Sequence, residues 1–588
     1  NESLEVVTDT ILSAQNLDYP ADKIRIYMLD DGRRESFEAF AKSAGVGYIT
    51  RANNQHAKAG NLNNALGQTD GELICVFDCD HIPTAGFLQA TVGGFLEDAK
   101  LAMVQTPHYF YSQDPFERNL GVGEELPREG ELFYGPVQKG NDFWNATFFC
   151  GSCAVIRREA LDETDGFAVE TVTEDAHTAL RFQRKGWRTA FVSLPLAAGL
   201  ATERLSLHIG QRARWARGMT QILRVDNPLF GRGLTLAQRL CYLNAMLHFQ
   251  FALPRVVFIT APLAYLLLGQ NIIASSASMI FAYALPHLFH AIWTNSRLNG
   301  RFRYTFWGEI YESVLCFHLI KPTLVTLWDP KKGSFNVTEK GGLLEKSFFD
   351  ISAVRPHLVV AFLLALGLGS GLVRFYWNEY YAIERDVMLL NVFWAGFSLI
   401  TLLAAIAAAR EQRQVRTNVR VPLVLPASIY LADGHVLKTR TLDVSLGGVR
   451  LANPLEEAFD GEVEDVEIRL DDQSVVLPAR LVDADGEDLR LQFGLMNLSQ
   501  QRQMLRIVMG RYDAWLADKP HPKDRPLHSF RIVLRVVILM FFGRWLARGT
   551  KEREIDETMR ANHLWHRFMP LAVLVLLALL ALLAVRPA

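Results

Sequence analysis

Cysteine is scarce in this chain: six thiols among 588 residues, at positions 75, 79, 150, 153, 241 and 316. Thiols this scattered exclude the disulfide framework of a small secreted domain and fit a reduced, cytosolic face. Cys150 and Cys153 make one CxxC, but no second Cys/His pair follows at zinc-finger spacing, so a structural zinc is not expected. Charge of one sign is lacking too. Lys plus Arg number 61 against 63 Asp plus Glu, a net charge of -2, which gives no overall basic bias toward nucleic acid. There is neither an initiator methionine nor a signal peptide. The chain opens Asn1-Glu2-Ser3, and a helical pattern begins at once with Leu4, Val6, Val7, Ile11 and Leu12. It reads as starting inside a longer protein.

Apolar sequence, by contrast, is abundant. Half the residues belong to the AVILMFWYC set. Residues 242–268, 270–293, 357–373 and 387–409 are each sufficient to span a bilayer, and a fifth run covers 568–585. Repeated long runs nearly free of charge exclude a soluble protein and predict an integral membrane one. Arg297, Arg301 and Arg303 follow the second run, and Arg410, Arg413, Arg416 and Arg420 follow the fourth, which predicts that these flanks are cytosolic. The expected organisation is a catalytic block over 1–235, membrane helices over 236–295, cytosolic interface helices and a loop over 296–356, and membrane helices over 357–409. A barrel over 410–515, an amphipathic membrane-surface segment over 516–565 and a last membrane helix over 566–588 complete it.

The first block alternates strand-like runs at 24–29, 48–50, 73–77, 102–105, 154–156 and 190–194 with helical stretches, which predicts an α/β domain with a mainly parallel sheet. Residues 415–515 differ: short alternating strands with turn signals at Asp433-Gly434 and Asp485-Gly486 predict a small β-barrel.

Chemistry-bearing residues gather where strands end. Asp78 and Asp80 follow one strand with a single residue between them, so both carboxylates can project together as hard ligands for Mg²⁺ or Mn²⁺ on a diphosphate. Asp-x-Asp alone is common on surfaces. Asp30 and Asp31 end a second strand, and Lys58 offers a cation to phosphate oxygens. Thr173-Glu174-Asp175 contains a carboxylate able to deprotonate a hydroxyl, and it is equally good helix-capping sequence. Gln211-Arg212-Ala213-Arg214-Trp215 offers an indole to a sugar face and polar groups to hydroxyls or phosphate, or it is a basic membrane-proximal helix.

Taken together and in this order, Asp-Asp-Gly, Asp-x-Asp, Thr-Glu-Asp and Gln-x-x-Arg-Trp resemble the processive family-2 glycosyltransferases, the cellulose, chitin and hyaluronan synthases. Phe148-Phe149-Cys150-Gly151-Ser152 is similar to that family's acceptor-end loop, and Phe335-Asn336-Val337-Thr338-Glu339-Lys340 to its gating loop. Arg416-x-x-x-Arg420 followed by Asp443-x-Ser445-x-x-Gly448 resembles the PilZ signature for cyclic-di-GMP, in which arginines grip phosphates and stack on guanines. The combination resembles bacterial cellulose synthase catalytic subunits over nearly the whole chain. It lacks that family's first transmembrane helices and the opening strand of its catalytic domain.

The resemblance implies a GT-A-type α/β domain, an α-helical transmembrane bundle and a PilZ barrel in the bacterial inner membrane, with the catalytic and PilZ domains cytosolic. It implies inverting transfer of glucose from UDP-glucose to a β-1,4-glucan. Asp30, Asp31, Lys58, Gln211 and Arg214 would bind the donor, Asp78 and Asp80 the metal, and Trp215 and Cys150 the acceptor, with Asp175 as base. Phe335, Val337, Thr338 and Lys340 would gate the site. Arg416, Arg420, Asp443, Ser445 and Gly448 would bind cyclic-di-GMP, and a Glu203–Arg416 pair would latch the resting state. Membrane lipid and a periplasmic partner subunit are the implied surroundings. Other readings of the same residues are a synthase of another β-glucan and a non-catalytic membrane receptor for cyclic-di-GMP.

Overall fold

The computed structural model describes residues 2–547 except 124, 274, 334–343, 345, 378–384, 415–418, 456–458, 460, 472 and 517–520. Phe335, Val337, Thr338, Lys340, Arg416 and the apolar run 568–585 therefore lie outside the described residues.

Short apolar runs become short strands: β1 (Tyr27–Leu29), β2 (Gly47–Ile49), β3 (Leu73–Val76), β4 (Ile82–Pro83), β5 (Leu101–Gln105), β6 (Tyr109–Phe110), β7 (Ala154–Arg157), β8 (Arg188–Phe191) and β9 (Ala197–Gly199). β1 and β2 pair in parallel, and β3-β7-β5-β8 form the larger sheet. The expectation of a mainly parallel sheet needs correction. β3, β5 and β8 run one way, but β7 runs against both neighbours from its place between them. Ala154, Val155 and Ile156 are almost wholly buried, so β7 is apolar on both faces. Such a run is suited to a central position and carries no sign of its direction.

Helices Leu236–His248 and Ala252–Leu268 follow one another closely, then come Ala277–Asn299, Trp307–Trp328, Ile351–Trp377 and Arg385–Ala407. Among the described residues, four helical stretches are long and apolar enough to cross a membrane: Leu236–Leu268, Trp307–Trp328, Ile351–Tyr376 and Arg385–Ala407. By length and composition two helices differ from the placement expected by sequence. The helix in the run at 270–293 begins at Ala277 and is not among the four, since polar residues such as His287 and His290 dilute it. Trp307–Trp328, placed with the interface helices by sequence, qualifies instead. It packs on helix Leu205–Val225, where Leu205, Ile209 and Ala216 share a buried cluster with Trp307, Ile310, Val314 and Leu319.

Beyond the bundle, β10 (Phe348–Phe349) pairs antiparallel with β11 (Arg410–Glu411). The barrel strands follow: β12 (Val421–Pro422), β13 (Pro426–Leu431), β14 (Val436–Ser445), β15 (Gly448–Ala452), β16 (Val463–Leu470), β17 (Gln473–Asp485) and β18 (Asp488–Phe493). Six of them close in the order β14-β13-β16-β17-β18-β15, with β15 returning to β14, while β12 joins β14 outside the ring. Gly434 takes φ +87 in the β13–β14 turn, a conformation suited to glycine. The stretch after β18, expected to be barrel, is helix Leu498–Val508. Its buried face of Met504, Leu505, Ile507 and Val508 packs in one cluster with Leu12 and Ile82 of the α/β domain.

Candidate active site

The two carboxylates after β3 are held from behind by backbone contacts. Asp78 N–H donates to Ser152 Oγ at 2.8 Å, and Thr10 Oγ1 donates to the carbonyl of Cys79 at 2.7 Å. Asp80 is almost wholly buried and accepts from Leu200 N–H at 3.1 Å. His81 Nδ1 lies 3.6 Å from the Asp80 carboxylate. Asp78, Asp80 and His81 each place a ligand atom within 4.8 Å of the others, a grouping that fits a divalent cation with mostly hard donors. His81 follows the motif directly and was not anticipated.

Lys58, near the start of helix Ala57–Leu66, pairs with Asp78 and donates to the carbonyl of Gly151 at 2.6 Å. Gly151 has φ +90, and a Cβ there would lie 3.1 Å from Asp175 Oδ2. Glycine therefore lets the 148–152 loop approach that carboxylate. Asp175 lies in the first turn of helix Glu174–Arg184, and Ala176 N–H donates to its Oδ1 at 2.8 Å. Thr173 makes no side-chain capping bond, whereas Glu174 and Asp175 place two acids in the first turn, so the acidic half of the capping alternative is present beside the catalytic one. Burial pushes the Asp175 and Glu174 carboxyls above the usual range, while Lys58 and Arg214 pull both back.

The aspartates after β1 have different surroundings. Asp30 is buried. Its carboxylate takes N–H groups from Gly32 at 3.0 Å and Arg34 at 2.9 Å, the Tyr48 hydroxyl at 2.9 Å and the Arg34 guanidinium at 2.8 Å. Burial alone would raise it, but these partners hold it down at about 2. Asp31 instead forms a bidentate pair with Arg51, at 2.6 and 2.7 Å. Both aspartates, each already held by protein groups, line the cavity described below.

Helix Leu205–Val225 carries Gln211, Arg212, Arg214 and Trp215. The guanidinium of Arg212 lies 4.2 Å above the Trp215 ring and pairs with Glu129 at 2.6 Å, while His208 lies 3.2 Å from the same carboxylate. Burial would raise Glu129, but Arg212 and His208 hold it well below the usual range. Three-residue helical spacing puts Arg212 and Trp215 on one face, as the stack requires. Gln211 accepts from Arg212 at 3.2 Å. Cys150 donates its N–H to Gln105 Oε1 at 2.9 Å, and burial pushes its thiol well up.

These groups line one cavity of about 2540 Å³. It passes Asp31, Lys58, Asp78, Asp80, Cys150, Asp175, Gln211, Arg214 and Trp215 and continues along Phe249, Phe251, Tyr311, Leu315 and Leu319 into the helical bundle. On the barrel, Asp443 binds Arg420 at 2.9 Å and Arg450 at 2.8 Å. Ser445 Oγ donates to the carbonyl of Gly448 at 3.0 Å. A Cβ on Gly448 would meet the carbonyl of Leu491 at 2.4 Å. Glu203 is buried, and its carbonyl accepts from Arg118.

Three family models match: "Glycosyl transferase family 2" over residues 1–165, "Cellulose synthase" over 150–305 and "PilZ domain" over 414–510. The cellulose synthase catalytic subunit [UDP-forming] of Pseudomonas fluorescens (strain SBW25) is 52% identical over 535 residues, which are 91% of this chain and 72% of that one. The chain belongs to the cellulose synthase family. It also aligns with Cellulose synthase 2 of Novacetimonas hansenii, 52% identical over 91% of this chain but only 34% of that protein, so it spans about a third of that relative's length. The PilZ domain of CeSA from a cellulose-synthesizing bacterium is 30% identical over 16% of this chain and 95% of that structure, with a TM-score of 0.14. As a cellulose synthase family member with four helices among its described residues apolar enough to cross a bilayer, the chain is a membrane-integrated protein.

Proposed function

We propose that the protein polymerises glucose from UDP-glucose into a β-1,4-glucan, passes the product across the bacterial inner membrane and is activated by cyclic-di-GMP. The observation that carries this reading is the single cavity along which Lys58, Asp78, Asp80 and Asp175 precede an aromatic path into the bundle. Asp31 and Lys58 bind the nucleotide, with Asp30 fixing the loop beneath. Asp78 and Asp80, with His81 adjacent, hold Mg²⁺ or Mn²⁺, which supplies charge stabilisation to the departing diphosphate. Asp175 takes the proton from the 4-hydroxyl of the terminal glucose as that oxygen attacks the anomeric carbon opposite UDP, inverting α to β. Lys58 and Arg214 add positive charge beside the leaving group, Gln211 binds the donor, and Trp215 and Cys150 seat the acceptor.

The catalytic and barrel domains belong on the cytosolic side, in contact with membrane lipid, and a periplasmic partner subunit receives the polymer. Arg416, Arg420, Asp443, Ser445 and Gly448 bind cyclic-di-GMP. Without it, Arg416 pairs with Glu203 and restrains the gating residues Phe335, Val337, Thr338 and Lys340, a charge switch acting on a two-state loop.

Membranes containing the full-length protein, UDP-[³H]glucose and Mg²⁺, with and without cyclic-di-GMP, test the reading. Nucleotide-stimulated polymer that a β-1,4-specific cellulase digests is the expected result. Stimulated polymer resistant to the cellulase overturns the linkage, and absence of polymer overturns the synthase.

A further inference from the structure

Helix Leu205–Val225 carries the Gln-x-x-Arg-Trp residues through 21 positions, yet Arg204 at its N-cap supplies no side-chain cap. The cap comes from 206 residues further along the chain. Glu411, fully buried in β11, accepts the N–H of Leu205 on Oε1 at 2.6 Å. Its other oxygen accepts from Asn119 Nδ2 at 3.1 Å and Arg118 Nη2 at 3.3 Å, and Arg118 also donates to the carbonyl of Glu203. A carboxylate at a helix N-terminus satisfies an otherwise orphaned donor and complements the positive end of the dipole.

The surrounding segment, residues 408–414, touches helix Pro115–Leu120 and the chain just before helix Ile351–Trp377. It follows helix Arg385–Ala407 directly, and Asn119 Nδ2 also holds the carbonyl of Ala408 at 2.8 Å. β11 pairs with β10, Arg413 N–H donates to Ser347 Oγ at 2.9 Å, and Gln414 N–H donates to the carbonyl of Leu344 at 2.8 Å. A few residues later Arg420 reaches Asp443 on the barrel. Burial pushes the Glu411 carboxyl up, and the Leu205, Asn119 and Arg118 donors pull it down.

We propose that Glu411 is a positioning residue that couples the chain leading into the barrel to the helix bearing Gln211, Arg214 and Trp215. Resting on the synthase reading, it acts by fixing where that helix begins. When the lead into the barrel shifts, Glu411 moves with it, and the Glu203–Leu205 turn follows through Arg118 and the Leu205 N–H.

The test uses full-length wild type, Glu411→Ala and Glu411→Gln in membranes. It reads amide hydrogen exchange at residues 203–209, cyclic-di-GMP binding and nucleotide-stimulated polymer. Glu411→Ala should speed exchange at 203–209 by about tenfold or more, the expected loss for one buried cap. It should also reduce stimulation toward unity while leaving nucleotide affinity within about twofold. Glu411→Gln keeps an acceptor for Leu205 but sets an amide against the donors of Arg118 and Asn119, so it should shift both readouts less and in the same direction; it carries the test if the alanine variant fails to fold. Wild-type exchange at 203–209 together with full stimulation overturns the proposal. Absence of polymer from wild type overturns the synthase reading instead, and the exchange at 203–209 still decides the cap.

Discussion

Lys58 pairs with Asp78 across the floor of the cavity, and this ammonium also pulls down the raised Asp175 and Glu174 carboxyls. A base must be ionised to work, so the rate falls as pH drops through the folded pKa. With burial holding these carboxyls up, the acidic limb should lie above the ordinary aspartate value of about 4. Lys58→Met removes the countercharge and should move that limb up by about one pH unit, besides weakening donor binding. A pH profile of kcat in both proteins checks this, and an unmoved limb contradicts it.

Asp175→Asn keeps the volume and the Ala176 N–H contact while removing the basic oxygen. Turnover should fall by roughly 10² to 10⁴, the usual contribution of a general base. UDP binding, measured by calorimetry, should stay within about threefold, because the nucleotide is assigned to Asp31 and Lys58. Full turnover would mean that the proton leaves by another route.

Much of this site was legible because strand ends and short motifs are local. β3 and its two carboxylates, β5 and β7 stand within a residue or so of their predicted positions, and Asp78, Cys150, Asp175 and Trp215 line one cavity. The direction of β7 was not legible, since a run buried on both faces reads alike in either sense. Partner choice was equally hidden. Nothing local distinguishes Asp30, saturated by Arg34 and Tyr48, from Asp31, clamped by an arginine 20 residues away. Glu411 belongs to no motif, and its partner Leu205 lies 206 residues earlier. Only the three-dimensional chain path brings the two together.

On the barrel, Asp443 holds Arg420 and Arg450 on opposite oxygens. Asp443→Ala releases Arg420, leaves Arg450 to its second partner Asp488 at 3.2 Å, and on the proposed reading removes a base-edge acceptor. Loss of charge-assisted hydrogen bonds should weaken cyclic-di-GMP binding by about 10- to 100-fold, read by calorimetry on the full chain. Unchanged affinity would remove Asp443 from the binding set.

Asp9 on helix Leu4–Ala14 accepts from Gln501 of helix Leu498–Val508 at 2.9 Å, where the barrel's trailing helix docks on the α/β domain. Burial raises its carboxyl to about 6, against the pull of Gln501. A folded pKa above the unfolded one means that the folded state binds the proton more tightly. The stabilisation from this group is therefore full below about pH 4 and lost as pH rises through about 6. Asp9→Asn presents a neutral acceptor to Gln501 at every pH, so it should match wild type at pH 4 and exceed it at pH 8 by about 1 to 3 kcal/mol. Thermal unfolding at the two pH values measures the gap. A gap of equal size at both would mean that the effect comes from packing, because only the ionised carboxylate bears the desolvation cost.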